Sequence, residues 1–211
     1  IVASAGPDDE CRDDQEWNGA STIEAGRGEC RHADVTVPEG GGSRSYEHAK
    51  AMMFAEPKTW HTLMEHLTGV IINYLDAQID AGVQVVQLFD SWVGALGPTD
   101  YREFVLPHQK NVIAGVKKTV PLIHFAHGAT HLLEMVAEAG GDVIGLDWRC
   151  NLDEAWKRVG YDKAVQGNID PISLFGSKEF IRKRTREILD RAGNRNGHIM
   201  NLGHGILQQT P

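Results

Sequence analysis

The sequence predicts an α/β fold in which helices cover a parallel sheet, and three observations carry that reading. Stretches with apolar residues at helical spacing alternate strictly with short, β-branched apolar runs. Five such runs can be counted, each bounded by turn-forming residues. Polar side chains stand at the carboxyl ends of these runs, as expected where buried parallel strands emerge into loops. The alternation fits either a doubly wound sheet or a closed (β/α)8 barrel, and the pattern alone leaves both open.

From roughly Glu56 to Ala81 the residues Trp60, Leu63, Met64, Leu67, Val70, Ile71, Tyr74, Leu75 and Ile79 recur at spacings of three and four. They lay one apolar stripe along a helix, which Gly82 ends. The run from Val83 to Asp90 follows as the first strand. A second strand is expected from Leu122 towards Gly128, then a helix around His131 to Ala139, a third strand from Val143 to Asp147 and a helix around Leu152 to Val159. The fourth and fifth strands are expected at Ala164 to Asn168 and Ile199 to Gly203. Between them lies a helix near Lys178 to Arg191 with the stripe Phe180, Ile181, Ile188 and Leu189.

Residues 1 to 37 carry Gly, Asp, Glu and Arg with neither period, and Trp17 is their only aromatic side chain. They are expected to form an irregular leader ahead of a barrel domain over residues 38 to 211.

In either architecture the chemistry gathers at the carboxyl ends of the strands, where loops vary without disturbing the layers below. That rule nominates Asp90 and Ser91, His127 and Gly128, Asp147 and Trp148, Asn168 and Asp170, and His204. Each has a plainer reading. Asp147 and Asp170 are residues that commonly cap turns, and Asp170-Pro171 in particular reads as a turn. His124 lies inside a strand and is expected to be a hydrogen-bonded wall residue, whereas His127 stands at a strand mouth beside Gly128. His204 is the strongest candidate, because Gly203 and Gly205 flank it and allow backbone or ligand to come close.

Composition narrows the partners. The formal net charge of −8 repels phosphate backbones, so nucleic acid is not an expected partner. No apolar run approaches the roughly 20 residues that span a bilayer. The start at Ile1 shows no secretory pattern, and a cytoplasmic setting is expected. Three scattered cysteines make no disulfide framework, and the ten histidines include no H-E-x-x-H or other metal-ligand spacing, so no metal is expected.

Four ordered motifs then resemble the uroporphyrinogen decarboxylase family over about residues 38 to 211. They are Glu39-Gly40-Gly41-Gly42-Ser43, Lys50-Ala51-Met52-Met53, Phe89-Asp90-Ser91-Trp92 and Asn201-Leu202-Gly203-His204-Gly205, supported by Leu106-Pro107 and Gly167-Asn168-Ile169-Asp170-Pro171. The resemblance implies a (β/α)8 TIM barrel, here incomplete and supplying roughly the last five strands, with exposed apolar surface and open strand edges. It implies a cytoplasmic enzyme, plastidic in a plant or alga, that removes carbon dioxide from the four acetate arms of uroporphyrinogen without metal or organic cofactor. A homodimer with clefts facing one another is implied as well. By position, Ser91 and His204 match the family's substrate-contacting residues, with His204 the catalytic candidate, and Asp90 supports the same loop. The family's N-terminal arginine motif and its pyrrole-binding aspartate have no counterpart among residues 1 to 37. A partial site without activity of its own is therefore the alternative expectation. A zinc- and corrinoid-linked methyltransferase of the same barrel type would need cysteine ligands, which Phe125-Ala126-His127 and Gly203-His204-Gly205 do not supply.

Overall fold

The computed structural model describes residues 45–211, so the expected leader and the Glu39 to Ser43 run lie outside the described residues. Two helices come first, α1 (Glu47–Ala55) and α2 (Pro57–Asp80). Pro57, which has no N–H to donate, separates them and occupies the first turn of α2, where that loss costs nothing. Helix α2 buries Trp60, Leu67, Leu75 and Ile79, while Val70 falls off the stripe and is exposed.

Five strands follow: β1 (Val86–Asp90), β2 (Leu122–Ala126), β3 (Val143–Gly145), β4 (Ala164–Ile169) and β5 (His198–Leu202). Helices α3 (Pro98–Phe104) and α4 (Leu106–Gly115) join β1 to β2. Helix α5 (Leu133–Ala139) joins β2 to β3, α6 (Leu152–Val159) joins β3 to β4, and α7 (Lys178–Ala192) joins β4 to β5. Ser177 caps α7 by accepting the Phe180 N–H, and Gly193, at φ 63°, closes its far end.

All pairings are parallel and the spatial order is β1-β2-β3-β4-β5. This order settles the architecture. A doubly wound sheet reverses its strand order at a switch point, whereas a barrel adds each new strand to the same edge. The sheet also curls, since the Gln166 Nε2 on β4 reaches the Gln87 Oε1 on β1 at 3.4 Å across its concave face. Val86, Leu88, Leu122, Ile144, Leu146 and Val165 turn the other way and form one core with the helices. The protein is thus part of a (β/α)8 barrel. Among the described residues β1 and β5 each have one strand neighbour, leaving two open edges.

The expected exposed apolar surface is present near the end of the chain. Of the α7 stripe, Ile188 packs on the core, whereas Phe180 and Leu189 are exposed, as are Phe175, Ile206 and Leu207. No described element covers them.

His124 is a wall residue, but it turns towards the helices and its expected hydrogen bonding fails. Its ring is completely buried in register with Leu88 and Ile144, and neither nitrogen makes a well-formed hydrogen bond, although the Gly140 and Val136 carbonyls lie beside it. Burial, helped by the Lys163 charge, pushes its pKa down from 6.5 to about 4. Because the unfolded ring takes a proton at about 6.5 and the folded ring only near 4, acid favours the unfolded chain. Stability is therefore expected to fall by ~3 kcal/mol through this one group between about pH 6.5 and pH 4. Denaturant melts of the wild type and His124→Leu across that window check this: the stability difference between the two should tilt with pH by that amount, and a pH-independent difference would contradict it.

Candidate active site

The strand mouths are tied together by the buried carboxylate of Asp147, just past the end of β3. Its Oδ2 accepts the Gly128 N–H at 2.5 Å, and its Oδ1 accepts the Arg149 N–H at 2.8 Å. The Arg149 guanidinium returns to Oδ2 at 3.1 Å. The Asp147 carbonyl accepts Asn168 Nδ2 at 2.8 Å, and the same amide nitrogen donates to the Cys150 carbonyl at 2.8 Å. Asn168 thus spends its donors on holding the β3 loop to β4, while its buried Oδ1 has no hydrogen-bond partner. The plainer reading of Asp147 as a turn cap is only partly met, because it also reaches across to the β2 loop.

The β5 end arrives through Gly203. Its N–H donates to the Ile169 carbonyl at 2.7 Å, and a Cβ placed on it would stand 2.5 Å from the Trp148 nitrogen. Only glycine lets the β5 loop press its backbone onto Asp147 and Trp148, and that contact brings His204 to the mouth.

Four rings gather there. His127 and His204 have centroids 4.6 Å apart, with Trp148 5.4 Å from His127 and Phe125 6.0 Å from His204. His127 is fixed in one tautomer. Arg149 can only donate, so Nε2, 3.0 Å from Nη1, accepts. Nδ1 then carries the proton and donates to the Ser91 carbonyl at 3.2 Å. Burial, then the Arg149 charge, lowers the His127 pKa. Burial, then His127 and Arg149, lowers that of His204. Both imidazoles are therefore neutral at pH 7, and the guanidinium is the positive group among them.

Of the other nominated residues, Ser91 is buried and meets the cluster through its carbonyl. Asp90 is buried on the helix side, where it accepts from Gln109 Nε2, whose Oε1 in turn accepts the Tyr101 hydroxyl. Its own carbonyl accepts the His127 N–H at 3.0 Å. The Asp170 side chain caps its turn by accepting the Ile172 N–H at 2.9 Å, and so follows the plainer reading. Arg149 was not among the sequence candidates. The signal that could have found it is a cation two residues beyond a buried strand-end acid, in Asp147-Trp148-Arg149.

Successive βα units with histidines, an arginine and an indole converging at their carboxyl mouth place this chain in the (β/α)8 barrel class. The fold likeness extends to a solved methyltransferase from Methanosarcina mazei, with a TM-score of 0.73 at 18% identity, covering 85% of this chain and 52% of that one. The family model for uroporphyrinogen decarboxylase (URO-D) matches residues 35–211, and the chain belongs to that family. Uroporphyrinogen decarboxylase from Carboxydothermus hydrogenoformans is 56% identical over 176 residues, covering 83% of this chain and 50% of that protein. Uroporphyrinogen decarboxylases from Chloroflexus aggregans and Streptomyces coelicolor are 50% and 51% identical, each over 82% of this chain, with 50% and 49% of those proteins covered. The chain spans about half the length of the curated relatives it matches.

Replacing Gly203 by Ala drives a methyl into a backbone atom that cannot swing aside. The expected cost is about 1–3 kcal/mol, read as a lower denaturant midpoint at unchanged slope. The His127–His204 contact should loosen with it, and a neutral substitution would show that the β5 loop is not pressed against Asp147.

Proposed function

We propose that the ring cluster at the strand mouths is part of a uroporphyrinogen-decarboxylating site that works without metal or organic cofactor. The observation that carries this is the convergence of His204, His127, Trp148 and Arg149 at the barrel's carboxyl mouth in a chain of this family.

The chemistry needs little beyond positioned donors. A proton added to a pyrrole carbon makes the ring cationic. The bond between the acetate methylene and its carboxylate then breaks, its electron pair enters the ring and carbon dioxide leaves. Proton return to the methylene and loss of the ring proton leave a methyl group, with one proton consumed for each carbon dioxide released. The protein holds the carboxylate arms, keeps water away and supplies protons at the reacting carbon. In this reading neutral His204 and Ser91 contact the substrate, while Asp90, held by Gln109, supports the loop that carries Ser91. A homodimer with facing clefts and a cytoplasmic setting, or a plastid in a plant or alga, belong to the same reading. Among the described residues no helix is long and apolar enough to cross a membrane.

A second reading is that this chain holds part of a site and has no activity alone. Its coverage of about half of each relative and the two open sheet edges favour that reading. A methyltransferase built on a zinc thiolate gains nothing from the described residues. Cys150 is the one described cysteine, and burial pushes its thiol up to about 11.

Anaerobic incubation of the 211-residue chain with uroporphyrinogen III, with products separated by carboxylate number, tests the reading. Coproporphyrinogen should form, and His204→Ala should slow its appearance roughly 100-fold. A folded chain that converts nothing would instead support the partial-site reading.

A further inference from the structure

We propose that Arg149 takes a carboxylate arm of the substrate at the site mouth, held ready by Asp147, His127 and Trp148. This rests on the reading of the site as one for a polycarboxylated tetrapyrrole.

The guanidinium is gripped on one side only. Nη1 is shared between Asp147 Oδ2 at 3.1 Å and His127 Nε2 at 3.0 Å, and Cζ sits 4.1 Å from the Trp148 ring centroid. Nε and Nη2 have no hydrogen-bond partner among the described residues, and 46% of the side chain is accessible. A planar fork fixed at three points, with its outer edge open, loses little freedom on receiving a carboxylate in two parallel hydrogen bonds.

Asp147 does not cancel the attraction at that outer edge, because its carboxylate also accepts two backbone N–H groups. Nor does a protonated imidazole compete for the arm, since His127 accepts from Arg149 and both histidine pKa values are lowered. The space exists as well. An open cleft of about 270 Å³ runs beside Trp148 and Arg149, bordered by Thr130 and Arg158. Arg158 is already spent on Glu134 through bonds of 2.6 and 2.7 Å, so Arg149 is the arginine of this cleft with an open face. Glu154, the acid of the same cleft, receives the Asn151 amide at 3.1 Å.

The test is fluorescence titration of the full chain with uroporphyrin, an oxidised octacarboxylate that is stable in air. Arg149→Met should weaken binding roughly 10- to 100-fold. Arg149→Lys, which keeps the charge and loses the fork, should recover part of the affinity. Lys58→Met, which removes an exposed charge on α2, controls for net charge and should leave affinity unchanged. Arg149→Met binding within twofold of the wild type, or a loss no larger than that of Lys58→Met, overturns the assignment alone. A folded wild-type chain that binds no uroporphyrin overturns the tetrapyrrole reading, and this assignment with it.

Discussion

The Asp147 side chain is 2% exposed, and the strand mouths meet around its carboxylate. It is a charge in a place where charge is costly, so every lone pair it uses must find a donor. Those donors come from the β2 loop through Gly128 and from its own loop through Arg149. Its backbone receives Asn168 of β4 and supports the close approach of Gly203 after β5. Through Arg149 and His127 the network reaches the Ser91 carbonyl after β1. One buried acid therefore links the ends of all five strands.

That arrangement explains why the rings at the mouth have one geometry. His127 is held by a donor on one side and an acceptor on the other, which fixes both its tautomer and its plane. His204 has no strand pairing of its own and depends on the pressed Gly203 contact for its place beside His127. A site whose work is to hold arms and deliver protons gains from such rigidity, because the donors need not reorganise as charge develops. His124, buried without well-formed hydrogen bonds, and the apolar residues exposed beside α7 lie outside this network.

The sequence made the layers legible because burial dictates their periods. The expected helix around Leu152 to Val159 matches α6, and Gly82, at φ 93°, ends the long amphipathic stretch of α2 as its sequence position implies. Periodicity could not tell barrel from doubly wound sheet, since both use the same βα unit and differ only in strand order. Strand ends were read too long: β1 starts at Val86 rather than Val83, and β3 stops at Gly145, because Leu146 and Asp147 stay buried after the ladder ends. Helix α1 was hidden, since Lys50 to Met53 fall in a segment too short to display a period. In the site, His204 and Asp147 could be named from their positions at strand ends. Arg149 is less legible, because an exposed arginine in a loop looks like solvated surface, and its place two residues after Asp147 is the one sequence mark of the partners its guanidinium finds.

The most direct test of this account is solution NMR of Asp147→Asn, following the Gly128 amide and the ring nitrogens of His127. An amide side chain has one oxygen where two are needed, and it points a donor at a donor. The Gly128 N–H should lose at least roughly tenfold of its exchange protection, and His127 should no longer hold a single tautomer. A folded variant in which Gly128 stays protected and His127 keeps its Nδ1–H form would contradict the claim that this carboxylate holds the strand mouths together.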